Sequence, residues 1–268
     1  MDSLINSIQL YFRYIGVSIR AQMQYKSSFI MMAIGGFLVN CGEFFGVWAL
    51  FDRFKNIQGW TLPEAALLYG MVHIAFALSE AGARGFDIFG RMVKSGDFDR
   101  LLLRPRSTVL QLLGQELQLM RIGRFAQGLV VLIWAISALD GIVWTPFKVY
   151  MLIGSIISGA CLFSGLFILQ ATLAFWTIES LEVANTVTYG GVEAAQFPIS
   201  VYRTWLREFF TLAVPLAFIN YFPSLAILGR SQWPDALNCM IPWVGIVFLL
   251  LTLQVWKLGV RHYCSTGS

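Results

Sequence analysis

Residues 83–107 read ARGFDIFGRMVKSGDFDRLLLRPRS, a charged segment set between blocks of chain too apolar to be stable in water. Arg84, Arg91, Lys94, Arg100, Arg104 and Arg106 stand against Asp87, Asp97 and Asp99, with Phe86, Phe89, Met92 and Phe98 threaded between the charges. Such a mixture suits a face that is touched by something other than lipid tails. The blocks around it are mostly hydrocarbon: 57% of the 268 residues are hydrophobic and 13% are charged, against roughly 25% charged in a soluble domain. The mean hydropathy is +0.67. This is the composition of an all-α membrane protein with one membrane domain, 1–268. A bilayer core about 30 Å thick takes about 20 helical residues per crossing, so the length allows six spans.

Working outward, apolar runs place spans at 29–51, 63–81, 125–139, 149–175 and 241–258. Two segments compete to be the fifth. Residues 177–201 carry Glu179, Glu182, Asn185, Thr188, Glu193 and Gln196, whereas 209–228 are more apolar but broken by Pro215, Asn220 and Pro223. A proline removes a helix hydrogen bond and disfavours the α conformation before it, so a hairpin that enters and leaves one side is an open reading. In 1–27, Leu4, Ile8, Phe12, Ile15 and Ile19 fall on one stripe, with Arg13, Arg20 and Lys26 free for head groups; an amphipathic interfacial helix is expected, and no cleavable leader. Gly42 and Gly46 form a small-xxx-small pair, and Gly154, Ser158, Cys161 and Gly165 line one side of the fourth span as a packing seam.

Lysine and arginine placement sets orientation. With the N-terminus inside, thirteen of the nineteen cations are cytoplasmic, including the eight from Arg84 to Arg124. Either choice of fifth span leaves both termini, and the stretch 83–107, in the cytoplasm. The net charge of +4 is confined to particular loops, which points to lipid contact and topology and not to nucleic acid. Cys41, Cys161, Cys239 and Cys264 are scattered without CxxC spacing, so no metal site and no disulfide framework is expected.

The sequence has no GxxxxGK[ST] phosphate loop, so nucleotide chemistry by that route belongs to another chain. Two histidines do not assemble a nucleophile with a base, and no catalytic residue is assigned. Intramembrane ionisable groups are costly and therefore candidates for function. Asn40, Glu43, His73, Asn185, Tyr189 and Glu193 are the candidates for a polar pathway. Glu80, four residues before Arg84, is expected to pair with it locally.

Two segments then match a known family. FGRMVKSGDFDRLLLRPRS (89–107) resembles the first cytoplasmic loop of ABC-2-type permeases, and FPISVYRTWLREFFTLAVPLAFINYFPSLAILG (197–229) is similar to the aromatic-proline segment before their last span. The resemblance extends over nearly the whole chain. It implies a six-span exporter subunit of a bacterial inner membrane, with an interfacial helix, a cytoplasmic coupling helix and a re-entrant hairpin at 203–229 carrying Pro215, Asn220 and Pro223. It favours 177–201 as the fifth span. It further implies cytoplasmic ATPase subunits that bind ATP and Mg, and a second permease, either another copy or a sister chain. Phe86, Phe89, Arg91, Met92, Lys94, Asp97, Phe98, Asp99, Leu102 and Arg104 become the expected ATPase-coupling residues, with a helix over 86–94 broken at Ser95 and Gly96. The substrate implied is amphipathic: lipid, glycolipid, peptide or drug-like. The readings from other classes are a lipid-modifying membrane enzyme using His73 with Glu43 or Glu80, and a scaffold that moves nothing.

Overall fold

A computed structural model describes residues 2–115, 121–139, 141–177 and 181–263. Glu179, Asp140 and Cys264 fall outside the described residues, as do the side chains of Leu4, Ile8, Phe12 and Glu182. The described chain is helical throughout, apart from short connections and one isolated bridge between Ile57 and Trp60. In order the helices are α1 (Asp2–Met23), α2 (Lys26–Phe54), α3 (Leu62–Asp87), α4 (Phe89–Ser95), α5 (Asp97–Leu102), α6 (Thr108–Leu113), α7 (Ile122–Ala138), α8 (Pro146–Leu173), α9 (Leu181–Ala195), α10 (Thr204–Glu208), α11 (Tyr221–Ile227), α12 (Asp235–Asn238) and α13 (Trp243–His262).

Among the described residues, four helical segments are long and apolar enough to cross a bilayer: Lys26–Phe54, Leu62–Ser95, Pro146–Leu173 and Asp235–His262. A fifth candidate is the pair Thr204–Ala213 and Leu216–Ile227, which are bent by 74° at the break between them. The bend has a local cause. Phe209–Ala213 is a π-helical turn closed by Val214 N–H on the Phe209 carbonyl, and Pro215, which follows, has no N–H to continue the ladder. Asn220 then starts α11 by accepting from the Tyr221 N–H at 2.7 Å, while its amide donates to the Ala195 carbonyl at the end of α9. Pro223 sits in the first turn of α11, where the lost N–H has no helical partner to miss.

The helix α3 is the hub. Nineteen of its 26 residues are buried, and it packs against α7, α8, α9, α6 and α11. Its start is a capping box: the Glu64 carboxylate accepts from the Thr61 N–H at 2.9 Å through Oε2 and from Arg230 at 2.6 Å through Oε1. The first turn of α3 is thereby tied to the chain just beyond α11. The small residues of α8 form the seam expected of them, and α13 occupies it. Gly245 N–H donates to Ser158 Oγ at 2.9 Å, and a Cβ on Gly245 would lie 1.9 Å from the Ser158 carbonyl oxygen.

The α2 helix lies at the edge, with only Asn40, Val47 and Phe51 buried. Its close approach is to α7 at Gly123, whose Cβ would meet the Ala33 carbonyl oxygen at 2.3 Å. Gly42 and Gly46 have nothing within 4 Å of an added Cβ, so that pair is not used within this chain. Along α1, Ile15 and Ile19 are half-buried, and Arg13 and Arg20 are exposed.

Candidate functional site

The charged stretch is built from the inside out. α3 continues to Asp87, Ile88 turns the backbone, and α4 runs over Phe89–Ser95. Gly96 ends it at φ 74°, a left-handed conformation that a residue with a Cβ resists. This break lets α5 fold back. The rings of Phe86, Phe89 and Phe98 are fully buried. They meet edge to face, Phe89 and Phe98 at 4.9 Å, and both Phe86 and Phe89 lie against Trp256 of α13 at about 5 Å. Phe175 and Tyr263 close the cluster against Phe98 at 5.6 and 5.0 Å. Trp256 also donates its indole N–H to Thr108 at 3.1 Å, so α13 holds α4, α5 and the start of α6 together. Such aromatic pairs contribute about 0.5–1.5 kcal/mol each beyond area burial.

Among the expected coupling residues, Phe86, Phe89, Met92 and Phe98 therefore face the chain's own core. The outer surface carries Arg91, Lys94, Asp97, Leu102 and Arg104, with Asp99 half-buried. The inward turn has a plain reason: α13 and the end of α8 offer apolar rings within the same chain, and burial there needs no partner. Leu103 is the residue that pattern reading passed over. It is 85% exposed, and Leu102 is 40% exposed, whereas Leu101 beside them is buried. A run of three leucines at a helix end fills one core position and leaves two outward, which is the signal that was available. The Asp99 carboxylate lies beside Tyr263; burial first, and then this carboxylate, push the phenol up to about 12.

A second polar assembly lies between α2, α3 and α7. The Glu80 carboxylate, 1% exposed, is held by Arg124 at 2.9 Å and Arg121 at 3.2 Å. Arg124 also donates to Asn40 Oδ1 at 2.9 Å and stands 5.1 Å over the Phe76 ring. Tyr69 donates to the Asn40 carbonyl at 3.1 Å, receives Gln127 at 3.3 Å and stacks on His73 at 4.0 Å. The local Glu80–Arg84 pair expected from spacing does not form. Arg84 turns toward the end of its helix and pairs with Asp87, and Glu80 takes two cations from another helix instead.

Of the pathway candidates, Asn40, Glu43 and His73 belong to this assembly or its border; Glu43 is half-buried one turn beyond Asn40. Asn185 and Tyr189 lie elsewhere, at the other end of a set joined by Gln170. That amide donates to Asn185 at 2.8 Å and to Asp87 at 3.3 Å, and Tyr189 donates to Asp87 at 3.2 Å. Phe76 stands between the two sets, within 5.1 Å of Arg124 and 5.5 Å of the Tyr189 ring. Glu193 is exposed on α9 and accepts from Gln196 at 2.8 Å. No hydrogen bond joins His73 to Glu80, whose oxygens are committed to arginines.

Neither the curated proteins nor the solved structures contain a match to this chain. The model of a family described as ABC-2 family transporter protein matches residues 37–267. That range takes in every long apolar helix from within α2 to the end of α13, the charged stretch and both polar assemblies, and with it the chain belongs to the ABC-2 family of transporter membrane subunits.

Proposed function

We propose that the chain is the permease of an ATP-driven exporter, moving an amphipathic substrate out of the cytoplasm or the inner leaflet of a bacterial inner membrane. ATP and Mg are bound by two separate ATPase subunits on the cytoplasmic side, and a second copy or a sister permease completes the pathway. In this reading α2, α3, α7, α8, α9 and α13 are the six spans, both termini are cytoplasmic, α1 lies in the interface, and 203–229 re-enters from outside. Helices of 17 and 15 residues, α7 and α9, rise about 25 and 22 Å. They complete their crossings through flanking turns and local thinning of the bilayer.

The observation that carries the reading is a charged shell mounted on a rigid aromatic core that continues from the central helix. A conformational equilibrium moves only where a partner contacts its two states differently, and this stretch offers such a contact. Phe86, Phe89, Met92 and Phe98 hold its shape. Arg91, Lys94, Asp97 and Arg104 set register by charge, and Leu102 and Leu103 enter a groove on the ATPase. Asn40, Glu43, His73, Asn185, Tyr189 and Glu193 supply the polar groups met by the substrate.

The test is Arg91→Glu combined with Lys94→Glu in the complex co-expressed with its ATPase. Both residues are exposed, so the melting temperature of the permease stays within about 2 °C, surface changes costing roughly 0.5 kcal/mol or less. Co-purified ATPase or substrate-stimulated hydrolysis falls at least about tenfold. Unchanged assembly and unchanged stimulation would sink the coupling role; ATP-dependent accumulation that requires right-side-out vesicles, and fails in inverted ones, would reverse the direction.

A further inference from the structure

A groove of about 540 Å³ runs between α1 and the charged stretch. Tyr14, Val17 and Ala21 line one wall, spaced so that they share one face of α1. The wall is fixed in place at Gly114, where an added Cβ would lie 2.5 Å from the Tyr14 ring. The opposite wall carries Arg100, Arg104, Asp97 and Gln111. Arg100 is 3.7 Å from Asp97, a loose contact, and no ion pair engages Arg104 among the described residues.

Gln111 is 5% exposed and its orientation is unambiguous. Its Nε2 donates to the carbonyls of Leu101 and Arg106, each at 3.1 Å; both partners are acceptors, so the amide cannot be reversed. The Oε1 atom consequently points elsewhere and has no hydrogen-bond donor among the described residues. The groove offers two guanidinium groups to an anion, the Asp97 carboxylate to a hydrogen-bond donor, and an apolar wall to a chain. Its α1 wall reaches Ala21, five residues before the membrane-crossing helix α2 begins at Lys26.

We propose that this groove binds a phospholipid headgroup, with the phosphate on Arg100 and Arg104 and an N–H or O–H of the headgroup serving Asp97. Ethanolamine and glycerol phospholipids meet that requirement. Choline phospholipids do not, because a trimethylated nitrogen has no hydrogen to donate. The lipid bridges α1 and the charged stretch, so membrane composition bears directly on how that stretch is held.

The experiment uses the full chain purified without an ATPase, so its outcome is independent of the coupling role proposed above. Native mass spectrometry reads the lipid retained from micelles holding equal amounts of phosphatidylethanolamine, phosphatidylglycerol and phosphatidylcholine. The first two are retained and the third is not. Arg100→Gln with Arg104→Gln lowers retention about 30-fold, roughly fivefold for each guanidinium, while Arg106→Gln, exposed outside the groove, changes it less than about twofold. Gly114→Ala displaces Tyr14 and lowers retention without removing a charge. Equal retention of phosphatidylcholine, or wild-type retention by the double variant at an unchanged melting temperature, overturns the proposal.

Discussion

Replacing Glu80 by Gln removes a buried acid on which two half-buried cations at the start of α7, Arg121 and Arg124, both close. Breaking a buried ion pair by removing one partner costs about 3–5 kcal/mol, because the remaining charge is left uncompensated. At roughly 2–4 °C per kcal/mol for a chain of this size, the melting temperature of the purified permease falls by about 10 °C. The geometry also ranks the partners. Arg124 makes the shorter contact, is 18% exposed and holds Asn40 as well, whereas Arg121 is 26% exposed and 3.2 Å away. Arg124→Gln is therefore the second most damaging change and Arg121→Gln the mildest. The assay is a double-mutant cycle on melting temperature in detergent. Glu80→Gln with Arg124→Gln loses less than the sum of the two single changes by more than about 1 kcal/mol, the range found for residues in one network. Additivity within about 0.5 kcal/mol, or a more severe loss from Arg121→Gln than from Glu80→Gln, would refute the reasoning.

Three further outcomes follow from the charged stretch. Gly96→Ala forces a Cβ into the left-handed region and costs about 1–2 kcal/mol, while Gly96→Asn costs less; limited proteolysis between α4 and α5 rises in that order, and equal sensitivity would argue against a fixed turn. Trp256→Ala removes the ring against which Phe86 and Phe89 pack and lowers stability by about 3–5 kcal/mol, read as a melting shift larger than that of any exposed residue in α5. Tyr263, pushed up to about 12, keeps its contribution below the ordinary phenol range and loses it as pH rises through the folded value; Asp99→Asn moves its ultraviolet titration downward, measured against Tyr263→Phe, and no movement would mean that the carboxylate does not act on it.

The helical character and the four long apolar segments were legible because hydropathy is a local property, summed over neighbours in the chain. So was the break at Gly96, where residue type alone carries the conformation. The direction in which Phe86, Phe89 and Phe98 point was not legible: an apolar face looks the same in sequence whether it meets a partner or the chain's own Trp256. Glu80 shows the same limit. Spacing along one helix favours Arg84, but the choice was made by α7, which brings Arg121 and Arg124 from forty positions away and has no signature near Glu80. The close approach of α2 and α7 at Gly123 was likewise invisible, while the Gly42 and Gly46 pair that drew notice is unused within the chain. The small residues of α8 were read correctly because four of them share one face, and a face of small side chains has little to do except admit a neighbour.

The capping of α3 by Glu64 has a mechanical consequence. A 26-residue helix is a strut about 39 Å long, and its two ends are pinned by different parts of the chain. At one end Glu64 grips Arg230 beyond the bent segment; at the other Asp87 grips Tyr189 and Gln170. A strut pinned in this way is stiff along its axis and gives only at its joints, so a thrust delivered near Ile88 is not absorbed on the way. A load applied there would be carried along the axis to the Arg230 joint.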